Sequence, residues 1–195
     1  MPDVSGGVVE EPNLIWKGKI KGKERGRVLV VLLSVWLLLV SGCSVGESEY
    51  LADDLSGVNH TSEAINYFSV NGYGGGNIQP HGFGGGACCM LMPRKWRPGL
   101  KVFVKWETDP NPRARLPALG TASYDAAYAE HEKNYRQHGA VVEIPKYEAS
   151  ELCSLTIHFL PCNSLKATTV CQGYRQPAYP IKEPLVMKEP STCPK

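Results

Sequence analysis

The residues best suited to chemistry in this sequence are its cysteines and histidines. Of seven cysteines, six follow Cys43: Cys88, Cys89, Cys153, Cys162, Cys171 and Cys193. The segment 153–171 spaces three of them and His158 loosely like a zinc site, but structural zinc ligands usually come in tight pairs, which are missing. An even number of cysteines favours disulfides in an oxidising compartment. We therefore expect disulfides and no metal, with most pairings left open.

Adjacent Cys88 and Cys89 form a special case among these candidates. Neighbouring side chains in a β-strand point to opposite faces of the sheet. We therefore predict that each of the two pairs with a distant cysteine rather than with its neighbour.

Motifs for catalysis or nucleotide binding are missing. The glycine clusters 72–77 and 81–86 do not lead into a helix with Lys-Ser/Thr at its start, as a phosphate loop requires. They indicate turns, bulges or an adaptable contact loop. The chain also has no G-x-S-x-G elbow, and Asp53-Asp54 lie in a predicted tether that cannot shield an acid–base pair. We expect no catalytic residue, no cofactor and no small-molecule substrate.

The histidines give no metal pair either. His131 and His138 are seven residues apart, whereas a pair on a helix prefers a spacing of three or four. We interpret both as packing residues. His158 faces away from the apolar side of its strand, which predicts a solvated side chain. His60 and His81 are assigned to loops.

The N-terminal segment has the features of a bacterial lipoprotein signal peptide. Six basic residues within 17–27 precede about 13 mostly apolar ones, Val28–Val40, too few for a membrane span of roughly 20. Ser41-Gly42 provide the small residues that a signal peptidase needs, and Cys43 follows directly. Cys43 is therefore the predicted lipidation site. Ser44 in place of Asp favours sorting to the outer membrane.

The charge distribution supports this division. The leader holds six of the 21 Lys and Arg and four of the 19 Asp and Glu, so the rest of the chain carries equal numbers of each sign. A neutral mature protein lacks the basic surface that nucleic acid requires. We predict a signal peptide with an extended N-terminus at 1–42, a lipidated tether at 43–58 and a single globular domain at 59–195.

Short strands dominate the predicted domain. Alternating or continuous apolar runs predict strands at 64–70, 87–92, 100–106, 141–144 and 153–160. Val102, Val104 and Trp106 share one face of the third run. A helix begins after Thr121 or Ser123 and stops at Gly139, and the proline-rich segment from Gln172 predicts irregular extended chain. The fold class is α+β: a mostly antiparallel, sandwich-like, disulfide-braced domain with one principal helix packed on one side.

A cluster of positive charge surrounds Trp96 and includes Arg94, Lys95, Arg97, Lys101 and Lys105. One interpretation is a solvated strand face and turn. The other is a docking patch for an acidic partner with Trp96 as its anchor, since Arg and Trp are both favoured at binding hot spots.

A set of short fragments follows one another in a characteristic order over roughly residues 57–180: Asn59-His60-Thr61, Phe68–Gly72, Gly75–Ile78, His81-Gly82, Cys88-Cys89, Pro93, Trp96–Leu100, Val104–Trp106, Val142–Tyr147 and His158–Cys162. Together these fragments resemble a family of bacterial lipoproteins that is defined only as a domain of unknown function. Members of that family resemble immunity proteins encoded at type VI secretion loci with phospholipase effectors.

The resemblance implies a non-enzymatic periplasmic lipoprotein, anchored to the outer membrane by its lipid, that binds and neutralises a cognate phospholipase. It provides no contact residues, so we select those on chemical grounds: Tyr73, Phe83, Trp96, Arg97 and the loop Asp109–Arg115 with Arg113. Two alternatives remain open: an envelope structural or assembly lipoprotein without an effector partner, and a periplasmic metal-binding protein.

The predicted processing can be checked on the native product. Mass spectrometry of the mature chain should show a first residue at Cys43 carrying a diacylglyceryl thioether and an acylated amino group. An intact leader with an unmodified Cys43 thiol would contradict the predicted compartment.

Overall fold

The computed structural model describes residues 26–27, 30 and 46–194, so Cys43 and most of the predicted signal peptide lie outside the described residues. The chain divides into two compact units, Met1–Glu47 and Ser48–Lys195. Helices of the described residues are all too short or too polar to cross a bilayer. The second unit is the one whose structure follows.

Eight strands and one α-helix make up the described part of this unit. Their bounds are β1 Tyr50–Asn59, β2 Ala64–Val70, β3 Tyr73–Gly75, β4 Phe83–Pro93, β5 Lys101–Asp109, α1 Ala122–His131, β6 Arg136–Glu143, β7 Ser154–Leu160 and β8 Ser164–Thr168. Short 3-10 turns cover Glu132–Asn134, Ala149–Glu151 and Pro161–Asn163.

The strands form two four-stranded sheets. Sheet A has the order β4-β1-β7-β8 and sheet B the order β3-β2-β5-β6. The pairing of β1 with β7 is parallel and the other strand pairs are antiparallel. The predicted class, mostly antiparallel β in a sandwich-like arrangement with one helix and disulfides, is confirmed.

The core lies between the two sheets and follows strand alternation. In β5 the side chains of Val102, Val104 and Trp106 are buried while their neighbours are exposed, as the sequence predicts. Phe159 of sheet A contacts Phe68 and Trp106 of sheet B edge to face, with ring centroids 5.3 and 5.6 Å apart. These large apolar side chains give the two sheets their common interior.

The predicted tether is wrong beyond Glu49, because Tyr50–Asn59 form the central strand β1. This strand pairs with β4 on one side and with β7 on the other. A register shift between Asp53 and Asp54 interrupts the alternation of apolar and polar residues in this strand. The sequence of the strand therefore lacks the hydrophobic pattern by which strands are predicted. Backbone pairing on both edges stabilises a segment that has few apolar side chains.

The helix begins as predicted and ends early. Thr121 Oγ1 accepts the backbone N–H of Tyr124 at 3.2 Å and caps α1. The helix stops at His131, and Gly139 lies inside β6, paired with Lys105. The prediction that the helix packs on the sandwich is also wrong, because none of its residues is buried.

All six predicted disulfide cysteines are paired. Cys153 bonds to Cys171 and Cys162 to Cys193, with Cα atoms 4.9 and 5.4 Å apart. Cys88 bonds to Cys89, which corrects our prediction of distant partners. The β1–β4 register shifts at this point, with Met90 opposite Asp53 and Cys88 opposite Asp54, so the strand alternation on which the prediction relied does not apply.

Residues 172–194, here called the strap, lie against the outer face of sheet A. As predicted, no helix or strand is formed in this range. Its side chains Tyr179 and Ile181 are buried, and the Tyr179 hydroxyl contacts His158 of the sheet. The two disulfides of Cys171 and Cys193 fix the strap near both of its ends.

Two glycines of the second cluster, Gly84 and Gly86, differ in whether the surrounding structure leaves room for a side chain. A Cβ on Gly84 would meet the backbone carbonyl oxygen of Asn77, whereas a Cβ on Gly86 would meet no atom within 4 Å. We expect Gly84→Ala to lower the free energy of unfolding by about 1–3 kcal/mol, as overpacking does. Gly86→Ala is the control and should change it by less than about 0.5 kcal/mol. Equal urea midpoints for the two variants would contradict this packing.

Candidate functional site

A chain of buried polar side chains joins sheet A to the strap. His60 Nδ1 lies 2.8 Å from the carbonyl oxygen of Pro184, and His60 Nε2 lies 2.8 Å from His158 Nδ1. His158 Nε2 lies 2.6 Å from the hydroxyl of Tyr179. Both histidines have 0% exposure and Tyr179 has 3%. We call these three side chains the relay.

The direction of donation in the relay follows from its two ends. The Pro184 carbonyl can only accept, so His60 donates from Nδ1 and, when neutral, accepts at Nε2. His158 therefore donates from Nδ1 and accepts the Tyr179 hydroxyl proton at Nε2. In this arrangement every ring nitrogen of the two histidines has a hydrogen-bond partner.

The effect of burial on the pKa values of His158 and Tyr179 agrees with these donor and acceptor roles. Removal from water, and then the neighbouring His60, lower the pKa of His158 to about 3. Burial also raises the pKa of Tyr179 to about 12. Both side chains therefore remain uncharged near neutral pH.

Further contacts pack the strap around the relay. The Tyr174 ring meets the rings of His60 and His158 at centroid distances of 5.7 Å each. The backbone of His60 accepts at its carbonyl from the N–H of Met187 at 3.0 Å and from His81 Nδ1 at 3.1 Å. Lys166 of β8 also pairs with Glu183 of the strap.

The relay positions the chain and does not face a substrate. A general acid or base must come within hydrogen-bond reach of a reacting group, and these ring atoms are sealed. Our prediction that His158 is solvated is wrong, because the strap covers the face that its alternation assigns to solvent. The sequence separation of His60, His158 and Tyr179 concealed their contact, and only the aromatic content of the strap hints at a buried face.

The predicted contact residues are spread over several elements. Trp96 is half-buried and donates its indole N–H to the carbonyl oxygen of Ile144 at 3.1 Å, so it is a structural residue rather than a free anchor. Arg97 beside it is exposed. Tyr73 is exposed on β3, and Phe83, 56% exposed, begins β4.

Asp109 is likewise structural. Its carboxylate is buried, with Oδ2 accepting from His131 Nε2 at 3.0 Å and Oδ1 accepting the N–H of Asn111 at 2.8 Å. It thereby closes the base of residues 110–135, which leave the sandwich between β5 and β6 and which we call the excursion. Arg113 and Arg115 are exposed within it.

These residues do not form one contact patch. Trp96 and Arg97 precede β5, whereas the Asp109–Arg115 loop follows it. A strand of nine residues spans on the order of 30 Å, so the two groups lie at opposite ends of sheet B. The excursion stands out instead: Leu119 is 82% exposed, Tyr128 is also exposed, and α1 buries no side chain.

Concave features adjoin the strap, and two of them also involve the sheets. A cavity of about 140 Å³ has Trp106, Phe159 and His138 among its walls. His138 stacks on Trp106 with ring centroids 5.1 Å apart and contacts Thr108 Oγ1 at 3.0 Å. A larger groove of about 510 Å³ lies between sheet A and the start of the strap.

The zinc alternative finds no ligand set in the described residues. Cys153 and Cys162 belong to different disulfides, and the ring nitrogens of His158 are occupied by the relay. The sulfurs of Cys162 and Cys193 lie near Glu189, but they are bonded to each other, and metal binding requires the thiolate.

Removing one hydroxyl tests the relay. Tyr179→Phe leaves His158 Nε2 buried without a donor, so we expect the free energy of unfolding to fall by about 1–3 kcal/mol. Tyr67→Phe is the matched control, because its exposed hydroxyl donates to Gln137 at the surface and its loss should cost less than about 0.5 kcal/mol. Similar losses in both variants, measured by urea unfolding, would argue against the relay.

The lowered pKa of His158 predicts acid sensitivity. Above its ordinary pKa near 6.5 the ring is neutral in both states. Below pH 6.5 the His158 ring binds a proton in the unfolded chain, whereas in the folded protein it stays neutral down to about pH 3. The free energy of unfolding should therefore decrease as the pH is lowered through this window, by up to about 1.4 kcal/mol per pH unit for one proton. Urea unfolding at pH 7, 6 and 5 measures the slope, and equal stability at all three would contradict it.

The chain was compared with known proteins. No curated protein matches it, and no solved structure matches it. A family model described as protein of unknown function (DUF3304) matches residues 58–167, more than half of the 195-residue chain. The match includes His60 and His158 but ends before the strap. The chain belongs to this family of proteins of unknown function.

Proposed function

We propose that this protein is a non-enzymatic periplasmic lipoprotein, anchored in the outer membrane through Cys43, that binds and neutralises a cognate phospholipase effector of type VI secretion. The partner class comes from the resemblance of the ordered sequence fragments to lipase immunity lipoproteins. The structural observation in its favour is the excursion, an exposed helix and loop on a braced two-sheet scaffold.

The excursion has the physical character of a binding element. An isolated helix of ten residues is marginal in water, and α1 has 10 residues with none buried. Thr121 caps α1, and the Asp109–His131 contact joins the end of the helix to the end of β5. Because the base is fixed, docking Leu119 and the stacked rings of Tyr124 and Tyr128 costs little ordering entropy.

Inhibition by such an element needs no chemistry. Covering an active site or its substrate entrance requires complementary shape and slow dissociation. A lipid anchor holds the inhibitor at the membrane surface that the phospholipase attacks, which raises its effective concentration there. The neutral mature chain is consistent with a partner recognised by shape and apolar contact rather than by a strong field.

The function is tested with the product of a phospholipase gene adjacent to the gene of this protein. The two proteins should co-purify, and this protein should protect cells in which that phospholipase is directed to the periplasm. Failure of both binding and protection would exclude the immunity role. A gene neighbourhood of cell-wall assembly proteins instead would favour the structural alternative.

A substitution in the excursion tests its part in binding. Leu119→Asp should weaken the complex at least about tenfold, because it replaces an apolar contact of about 1.5–3 kcal/mol by a charge. Val186→Asp is the control, since Val186 is 64% exposed and lies in the strap. Affinities are measured by calorimetry, and an unchanged affinity for Leu119→Asp would remove the excursion from the interface.

A further inference from the structure

The groove between sheet A and the start of the strap lies outside the excursion and shares one lining residue, Tyr179, with the relay. Its volume of about 510 Å³ lies in the range of roughly 300–1,000 Å³ that is usual for small-molecule sites. Strands β1 and β7 form the floor, and the Cys153–Cys171 disulfide holds the strap beside it. The chemistry of this lining restricts what it can bind.

Side-chain hydroxyls cover the floor. Ser56 Oγ lies 2.8 Å from Thr156 Oγ1, and Ser154 Oγ lies 3.4 Å from the same atom. All three side chains are partly exposed. A hydroxyl donates one hydrogen bond and accepts two, so this row retains capacity for a ligand.

Aromatic rings form the wall. Phe83 at the start of β4 is 56% exposed, and its ring centroid lies 5.6 Å from that of Tyr174 in the strap. The groove therefore offers an apolar ring surface opposite a polar floor. Such a combination suits a ligand with one apolar face and many hydroxyl groups.

Charge excludes the main competitors. Among the described residues that line the groove there is no lysine, arginine or histidine, and Asp54 supplies a carboxylate. A phosphate or fatty-acid carboxylate would find no cation in this lining, and the neighbouring Arg175 guanidinium lies over the Tyr174 ring, 5.8 Å from its centroid. A purely apolar ligand would cover the hydroxyls and the Gln172 amide without replacing their hydrogen bonds to water, which costs about 1–3 kcal/mol per group.

We propose that this groove binds a neutral saccharide of one to a few pyranose rings. The C–H face of a pyranose packs on Phe83 and Tyr174, while its hydroxyls exchange hydrogen bonds with Ser56, Thr156 and Gln172. Asp54 accepts from a further hydroxyl at the groove margin. The saccharide is a ligand and not a substrate, since no reaction follows from these groups.

The test uses the disulfide-bonded full chain and four probes: chitotriose, maltotriose, inorganic phosphate and decanoate. Saturation-transfer NMR and calorimetry should detect at least one trisaccharide and neither anion. Phe83→Ala should weaken that binding by roughly 2- to 12-fold, the value of one aromatic contact. Phe103→Ala is the matched control, because Phe103 is an exposed aromatic residue on sheet B and its loss should leave the affinity unchanged.

A second variant separates binding from folding. Gln172→Ala removes an exposed amide that lines the groove, and it should weaken saccharide binding while the urea midpoint of unfolding stays equal to that of the unsubstituted protein. The proposal is overturned if neither trisaccharide binds, if phosphate or decanoate binds in their place, or if Phe83→Ala and Gln172→Ala both leave the affinity intact. The proposal is also overturned if a protein partner covers the groove and no saccharide binds there.

Discussion

The position of the strap depends on one constraint: two polar rings, that of His158 on β7 and that of His60 directly after β1, are completely buried. A histidine without hydrogen-bond partners would be costly at 0% exposure. The relay removes this cost because each ring nitrogen meets a fixed donor or acceptor. His158 belongs to β7 of the sheet and His60 directly follows β1, whereas Pro184 and Tyr179 come from the strap. The buried hydrogen-bonding groups of the sheet side and those of the strap are therefore each other's partners.

This constraint explains how an irregular segment behaves as part of the fold. The strap has no ladder of its own, yet both ends are held by disulfides and its middle by the relay. The resulting scaffold has layers of sheet B, core, sheet A and strap. Exposed binding elements work best on such rigid supports, since less order is lost on association. The excursion and the groove both lie on surfaces that this scaffold holds in place.

The sequence predicted the strands whose side chains alternate. Val102, Val104 and Trp106 identify β5 because one face is buried and the other is exposed. It did not predict β1, because Asp53, Asp54 and Ser56 are polar and a bulge breaks the period. Backbone pairing on both sides stabilises β1, and a pattern of side chains does not report it. The helix end was misplaced because Tyr135 and His138 continue a helical spacing into β6.

The candidate site was less accessible to sequence reasoning than the fold. The face of His158 was assigned correctly, but its environment depends on Tyr179, which lies 21 residues further along the chain. Trp96 and Asp109 have types favoured at interfaces, yet both are engaged in internal hydrogen bonds. Residue type predicts what a side chain can do. Only the tertiary contacts determine whether it is free to do it.

The relay is tested most directly by long-range ¹H–¹⁵N NMR of the five histidine rings in the disulfide-bonded protein. We expect His60 and His158 each to bear a proton on Nδ1 at pH 7, and His158 to remain neutral at pH 5. An Nε2-protonated His60, or a His158 ring that gains its proton near pH 6.5, would contradict it.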